Sequence, residues 1–301
     1  MQYAHWQFQR LPGKGNLVPR QTVLIVGASD LGTACALRLF HSGFHIVIIE
    51  KDCPFDIYHS RSFSSAVFSG SRTIENVKAK TYAQALDEDA LKPDSNISDF
   101  LKFTILNREI PVMLESEKSY LRQLSADYCI ICQPNLYEKI KSDISEECKI
   151  IGFAEDINMR DNAYTICNSG QNFGRVLYAN DELLIAESNI TQHKKDIYYQ
   201  IKAPIEGVFQ SSKSIDELIR EKEEIGKIGN IPILSPVLGR ISGILNSGVI
   251  IPAGIVFVEI DTSHSGMSGY LLFRDSFCLS GAVLEAIMHD SDLNKTVKFL
   301  N

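Results

Sequence analysis

The segment Gly27-Ala28-Ser29-Asp30-Leu31-Gly32 has the outline of a turn that carries the pyrophosphate of a dinucleotide, with Ser29 where a second glycine would stand. In such a turn the first glycine makes the bend and the second lets backbone approach the phosphates. The N–H groups of the following helix then face the negative charge. Thr33 continues that helix, and Glu50, closing the next apolar run, stands where a carboxylate bonds ribose hydroxyls. Ser29 adds bulk at the closest approach, and Asp30 sets a carboxylate beside the phosphates. Asp30 therefore reads better as an N-cap or first-turn residue serving its own helix. Two readings stay open: a bound dinucleotide, with NAD favoured over NADP because Glu50 repels a 2′-phosphate, and a purely structural unit. Arg61, beyond the second strand, either faces an anionic ligand at the carboxyl ends of the sheet or is a solvated loop arginine.

The elements that must position these residues are legible around them. Val23-Leu24-Ile25-Val26 is a continuous apolar run, as in a parallel strand buried on both faces. Leu31, Cys35 and Leu39 recur at helical spacing over 31–41, Gly43 stops that helix, and Ile46-Val47-Ile48-Ile49 is the next strand. Strand, glycine turn, helix and strand make a right-handed βαβ unit. Ile110–Leu114 and Tyr128–Cys132 read as further strands, preceded by helices over 97–106 and 117–124, with 86–96 a polar loop. The fold class is therefore α/β, a Rossmann-like parallel sheet.

Other chemistry is poorly served. Cys129 and Cys132 sit three apart in a strand, so they face opposite sides, and no second C-x-x-C completes a zinc site. His41, His45, His59, His193, His264 and His289 are scattered without metal-ligand spacing, so no metal is expected. Neither a nucleophile-elbow motif nor a P-loop occurs. The chain has 301 residues, net charge −7 and pI near 5.6, which offers no basic field for nucleic acid. No apolar run is long enough to span a membrane. Residues 1–20 read as a polar flexible leader without the apolar core of a secretory signal. Seven cysteines without regular spacing suit a reducing compartment, and the expected location is cytoplasmic.

The C-terminal part follows a different logic. Ile201-Lys202-Ala203-Pro204-Ile205-Glu206-Gly207-Val208-Phe209 returns 32 residues later as Ile233-Leu234-Ser235-Pro236-Val237-Leu238-Gly239-Arg240-Ile241. A third related piece is Ser247–Gly254. Short strands punctuated by Pro and Gly predict a compact β barrel or sandwich, with the two repeats related by an approximate two-fold. The frame resembles the barrel-sandwich module of biotinyl and lipoyl carriers. The lysine those carriers modify is absent, so no covalent biotin or lipoate is expected. Ser214 with Glu217 has capping-box spacing, and IDELIREKEEIG has helical composition, which predicts a short helix there. A last helix over 277–288 should pack back on the N-terminal sheet. The expected division is 1–20 leader, 21–180 Rossmann-like, 195–262 barrel-sandwich-like and 270–301 returning helix.

The blocks Gly27–Thr33 with Ala36–Leu39, then Arg61, Phe63, Ala66-Val67, Gly70, Val77 and Ala79 resemble the selenium-dependent molybdenum hydroxylase accessory proteins. The resemblance resumes at Gly174-Arg175-Val176 and Ala203–Phe209, and closes at Gly281–Ile287. It implies a Rossmann-like domain with a β domain, and adds Gly174 and Arg175 to the candidate cofactor-binding residues Gly27, Ser29, Asp30, Gly32, Thr33, Glu50 and Arg61. It further implies a molybdenum hydroxylase or a cofactor-maturation protein as partner. Between 152 and 175 the chain departs from the family, with Asn172 at a position where the family has histidine. Three functions are compatible with the residues: an accessory protein binding an apoprotein or a cofactor precursor, an NAD-dependent oxidoreductase, and a non-catalytic interaction protein.

Overall fold

The computed structural model describes residues 20–153, 163–178, 197–263 and 269–290. Most of the leader, the tail beyond 290, His193 and His264 lie outside them, as do the stretches 154–162 and 179–196.

The N-terminal body is built on β1 (Thr22–Val26), α1 (Asp30–His41) and β2 (His45–Glu50). A short α2 (Ala66–Ser69) leads into the hairpin β3 (Ser71–Ile74) and β4 (Val77–Thr81). Then follow α3 (Tyr82–Asp87), α4 (Ile97–Leu106), β5 (Ile110–Leu114), β6 (Tyr128–Ile131) and α5 (Pro134–Ile140). The sheet closes with β7 (Lys149–Phe153), β8 (Tyr164–Ile166) and β9 (Val176–Leu177). Its order is β3-β4-β5-β2-β1-β6-β7-β8-β9. The six strands β5-β2-β1-β6-β7-β8 are all parallel and stand in the Rossmann order. The fold is Rossmann-like α/β. Where an α-helix is expected over 117–124, Glu115–Gln123 form a 3-10 helix instead.

Strand alternation explains how one sheet feeds two cores. Val23 and Ile25 point into a layer with Leu37, Leu39 and the last helix, while Leu24 and Val26 point to Phe100, Leu136 and Ile140. Cys129 lies in the second layer and Cys132 packs against the first, so the C-x-x-C pair straddles the sheet. That last helix, α6 (Arg274–Asp290), lies beside α1, where Arg38 donates to Ser280 Oγ at 2.9 Å and to the Phe277 carbonyl at 3.1 Å.

The C-terminal module comprises β10 (Tyr198–Lys202), β11 (Gly207–Gln210), β12 (Leu218–Ile219) and β13 (Glu224–Ile228). It continues with β14 (Ile231–Leu234), β15 (Gly239–Ile244), β16 (Ile250–Ile251) and β17 (Val256–Asp261). Two sheets, β10-β17-β15-β12 and β14-β13-β11-β16, enclose Phe209, Phe257, Ile219 and Ile251. Exchanging the first four strands with the last four turns one sheet order into the other. The hydrogen bonds repeat as well. Ala203 N–H donates to Ile255 at 2.8 Å as Ser235 N–H donates to Glu223 at 2.8 Å. Gly248 N–H donates to Phe209 at 2.7 Å as Asp216 N–H donates to Ile241 at 2.8 Å. The two repeats occupy equivalent places about a pseudo-two-fold.

This symmetry corrects two expectations. Ser247–Gly254 is the mate of Ile215–Lys222, not a third copy of the Pro-x-x-Gly frame. The stretch expected as a helix is strand and turn. Glu217 does accept the Ser214 N–H, at 3.0 Å, but no helix follows. Asp216 (φ 68°) and Lys222 (φ 65°) take the left-handed conformation of their mates Gly248 (φ 91°) and Gly254 (φ 83°). A helix admits no such φ, and the long-range ladder overrides local composition.

Candidate functional site

In an open parallel sheet ligands bind where strand order reverses, here outside the carboxyl ends of β1 and β6. Gly27 bends the chain there at φ 90°, a conformation that suits glycine. A Cβ on Gly32 would stand 2.0 Å from the Gly27 carbonyl oxygen, so α1 packs against the turn only because Gly32 has none. Both glycines thus do what a dinucleotide turn asks of its first and third. The remaining groups do not.

Glu50 is fully buried. Its Oε2 accepts the Ala28 N–H at 2.7 Å and its Oε1 accepts the Lys51 N–H at 2.8 Å. Its carboxylate clasps the turn from within instead of reaching a ribose. The two N–H donors offset only part of the burial, which pushes the carboxyl up to about 7. Over Gly27 lies the side chain of Gln133, whose Cβ would sit 2.7 Å from a Cβ at residue 27. Gln133 Oε1 is buried there without a hydrogen-bond partner among the described residues. The space directly over Gly27 is thus taken by the Gln133 side chain.

The serine-rich loop 60–65 covers the other side of the turn. The Ala28 carbonyl accepts from Ser62 Oγ at 2.6 Å, Thr33 Oγ1 at 2.9 Å and Ser64 N–H at 3.1 Å. Thr33 Oγ1 in turn accepts the Phe63 N–H at 2.9 Å. Thr33 is a tie between turn and loop. Ser29, half-buried, makes no side-chain cap bond.

Asp30 and Arg61 also correct their expected roles. Arg61 is 3% exposed, neither solvated nor open to a ligand. Its Nε stands 2.8 Å from Asp30 Oδ1, a charge contact without the alignment of a hydrogen bond. Its guanidinium lies against both the Tyr58 and the Phe273 ring, 4.4 and 3.7 Å from their centres, where the two rings meet edge to face. Nη1 donates to the Leu271 carbonyl at 3.1 Å. Asp30 serves the start of α6 instead of its own helix, accepting from Ser276 Oγ and the Phe273 N–H. Burial raises its carboxyl above the usual range, against the pull of Ser276 and Arg61. The pair fastens the segment 269–276 to the turn. The bonds that Asp30 and Arg61 make to this segment join residues more than 200 positions apart, a signal that spacing along the chain does not carry.

Gly174 and Arg175 are not brought to this place. They precede β9, four strands from β1, roughly 19 Å away at the usual strand spacing. Gly174 (φ 80°) packs on Cys278 of α6, and Arg175 is exposed. Among the described residues no three His, Cys, Asp or Glu side chains converge as metal ligands, and no helix is long and apolar enough to cross a membrane.

No protein-family model matches the chain. Across 274 residues it is 27% identical to the uncharacterized protein YqeB of Escherichia coli (strain K12), covering 89% of this chain. The chain spans 47% of that relative's length. A solved structure of D-mandelate dehydrogenase with NADH and anilino(oxo)acetate aligns over 49% of the chain, at 13% identity and TM-score 0.29. The Rossmann-like assignment rests on the strand order itself.

Proposed function

We propose that the protein is an accessory factor in the maturation of a molybdenum hydroxylase, and that it acts by binding the apoprotein. The observation that carries this reading is the closed switch point. Glu50 and Gln133 are spent on the turn itself, so the residues present do not fit a dinucleotide. That sets the NAD-dependent oxidoreductase behind, and it favours an apoprotein over a small cofactor precursor. The resemblance to the accessory family supplies the partner class. Its blocks fall on parts that hold the molecule together: the turn, the Gly174 corner against α6, the first repeat of the β module and α6 itself.

The test is direct. The purified chain is mixed with the apo and mature forms of a selenium-dependent molybdenum hydroxylase and resolved by size exclusion with light scattering. A complex with the apo form, weaker or absent with the mature enzyme, is expected. Two separate peaks with both forms at tens of micromolar would reject the reading.

A further inference from the structure

The pseudo-two-fold of the β module relates more than its strands. On the sheet β10-β17-β15-β12 the outer face is held by the Rossmann-like body. Ile57 and Tyr58 lie over Gly243, where a Cβ would meet both at 3.0 Å. The Ile57 carbonyl accepts the Ile244 N–H at 2.7 Å. The Tyr58 hydroxyl donates to Glu259 Oε2 at 2.9 Å, and Ser242 Oγ donates to the other oxygen at 2.9 Å.

Shifting each module position by the 32-residue repeat carries this patch to the opposite sheet. Gly243 becomes Ser211, Ile244 becomes Ser212, Glu259 becomes Lys227 and Ser242 becomes Gln210. Those residues, with Glu224, Gly226 and Ser247, line an open groove of about 390 Å³, in which Glu224 and Lys227 are the charged groups. The N–H of Ser212, mate of the one that Ile57 engages, makes no hydrogen bond among the described residues. Lys227 forms no ion pair among them either. Beside the groove, on the same outward positions of β11, β14 and β16, stand Val208 (38% exposed), Leu234 (50%) and Ile250 (63%). Among the described residues, one face of the module is thus covered and its mate is bare, polar at the centre and apolar at the rim.

We propose that this second face docks a segment of a partner protein that carries a carboxylate beside an apolar side chain, engaging it as Ile57 and Tyr58 engage the first. A backbone carbonyl of the segment takes the Ser212 N–H. A carboxylate takes Lys227, because the charge at that position is opposite to that of Glu259 and calls for an acceptor. An apolar side chain beside it covers Val208 and Ile250. The inference does not depend on the partner being a molybdenum hydroxylase.

The test pans a phage-displayed library of nine-residue peptides against the intact protein, then measures synthetic hits by fluorescence polarisation. Enriched peptides should share an Asp or Glu next to an apolar residue. Their affinity should fall at least tenfold in Lys227→Glu and likewise in Ser247→Tyr, which fills the groove. Both positions are exposed, and unchanged melting curves confirm that the variants fold. No enrichment, or hits that bind both variants as tightly as the parent, would overturn the proposal. So would a dimer in sedimentation that Lys227→Glu dissociates, because a second copy would then own the face.

Discussion

Arg61→Leu is expected to destabilise the protein by about 3–5 kcal/mol, because it strands the Asp30 carboxylate in a place that water does not reach. Asp30 would keep only Ser276 Oγ and the Phe273 N–H. The loss also removes the guanidinium from its contacts with the Tyr58 and Phe273 rings. Asp30→Asn should be costly for the complementary reason, since it leaves a buried cation without its counter-charge. The double variant Asp30→Asn/Arg61→Leu should recover part of the loss, with a coupling of about 1–3 kcal/mol. Urea unfolding of the four proteins measures the cycle. Additive losses would mean that the two charges do not act as a pair. Hydrogen exchange adds a spatial readout: opening should appear first at the start of α6, which Asp30 caps.

Glu50 should write itself into the pH dependence of stability. Its carboxyl lies near 7 when folded and near 4.5 when exposed, so the folded state holds the proton more tightly. Below the unfolded value both states are protonated and the group costs nothing. As pH rises from there through about 7 the unfolded chain loses its proton first, and stability falls by about 3 kcal/mol. Glu50→Gln has no such proton. At pH 5 it should be less stable than the parent, because its amide accepts from only one of the Ala28 and Lys51 N–H groups, at a cost of about 1–3 kcal/mol. That deficit should shrink or reverse by pH 7.5. Burial lowers His45 and His59, which opposes the trend over part of the same window, but their contribution cancels in the difference between the two proteins. A difference that stays flat from pH 5 to 7.5 would show that Glu50 is not buried and clasped as described.

The frame of the molecule was legible where it is local. The run Val23–Val26, the helix period of Leu31, Cys35 and Leu39, and the run Ile46–Ile49 mark β1, α1 and β2 almost to the residue. The repeated Pro-x-x-Gly frame announced the two-fold module, because Pro and Gly mark strand edges and bends directly. What escaped was decided at a distance. Glu50 looks like a ribose ligand from its place at a strand end. Only the fold shows that the Ala28 N–H, 22 residues earlier, already owns it. Gln133 carries no motif, yet it lies over the glycine that makes the turn. Arg61 needed Phe273 and Leu271, more than 200 residues on, before its role could be seen. The stretch 214–226 misled for a related reason. Its composition favours a helix, while its mates Gly248 and Gly254 reveal that the module needs left-handed corners at Asp216 and Lys222.

The closed switch point is tested most directly by calorimetric titration of the intact protein with NAD and with NADP. With Gln133 over Gly27 and both oxygens of Glu50 engaged inside the turn, neither cofactor should give measurable heat up to about millimolar concentration. Ser29→Gly alone should change little, whereas Ser29→Gly with Gln133→Ala, which clears the approach, should raise NAD affinity ahead of NADP. Binding of either dinucleotide by the unmodified protein in the micromolar range would contradict a closed site, and would promote the oxidoreductase reading over the accessory one.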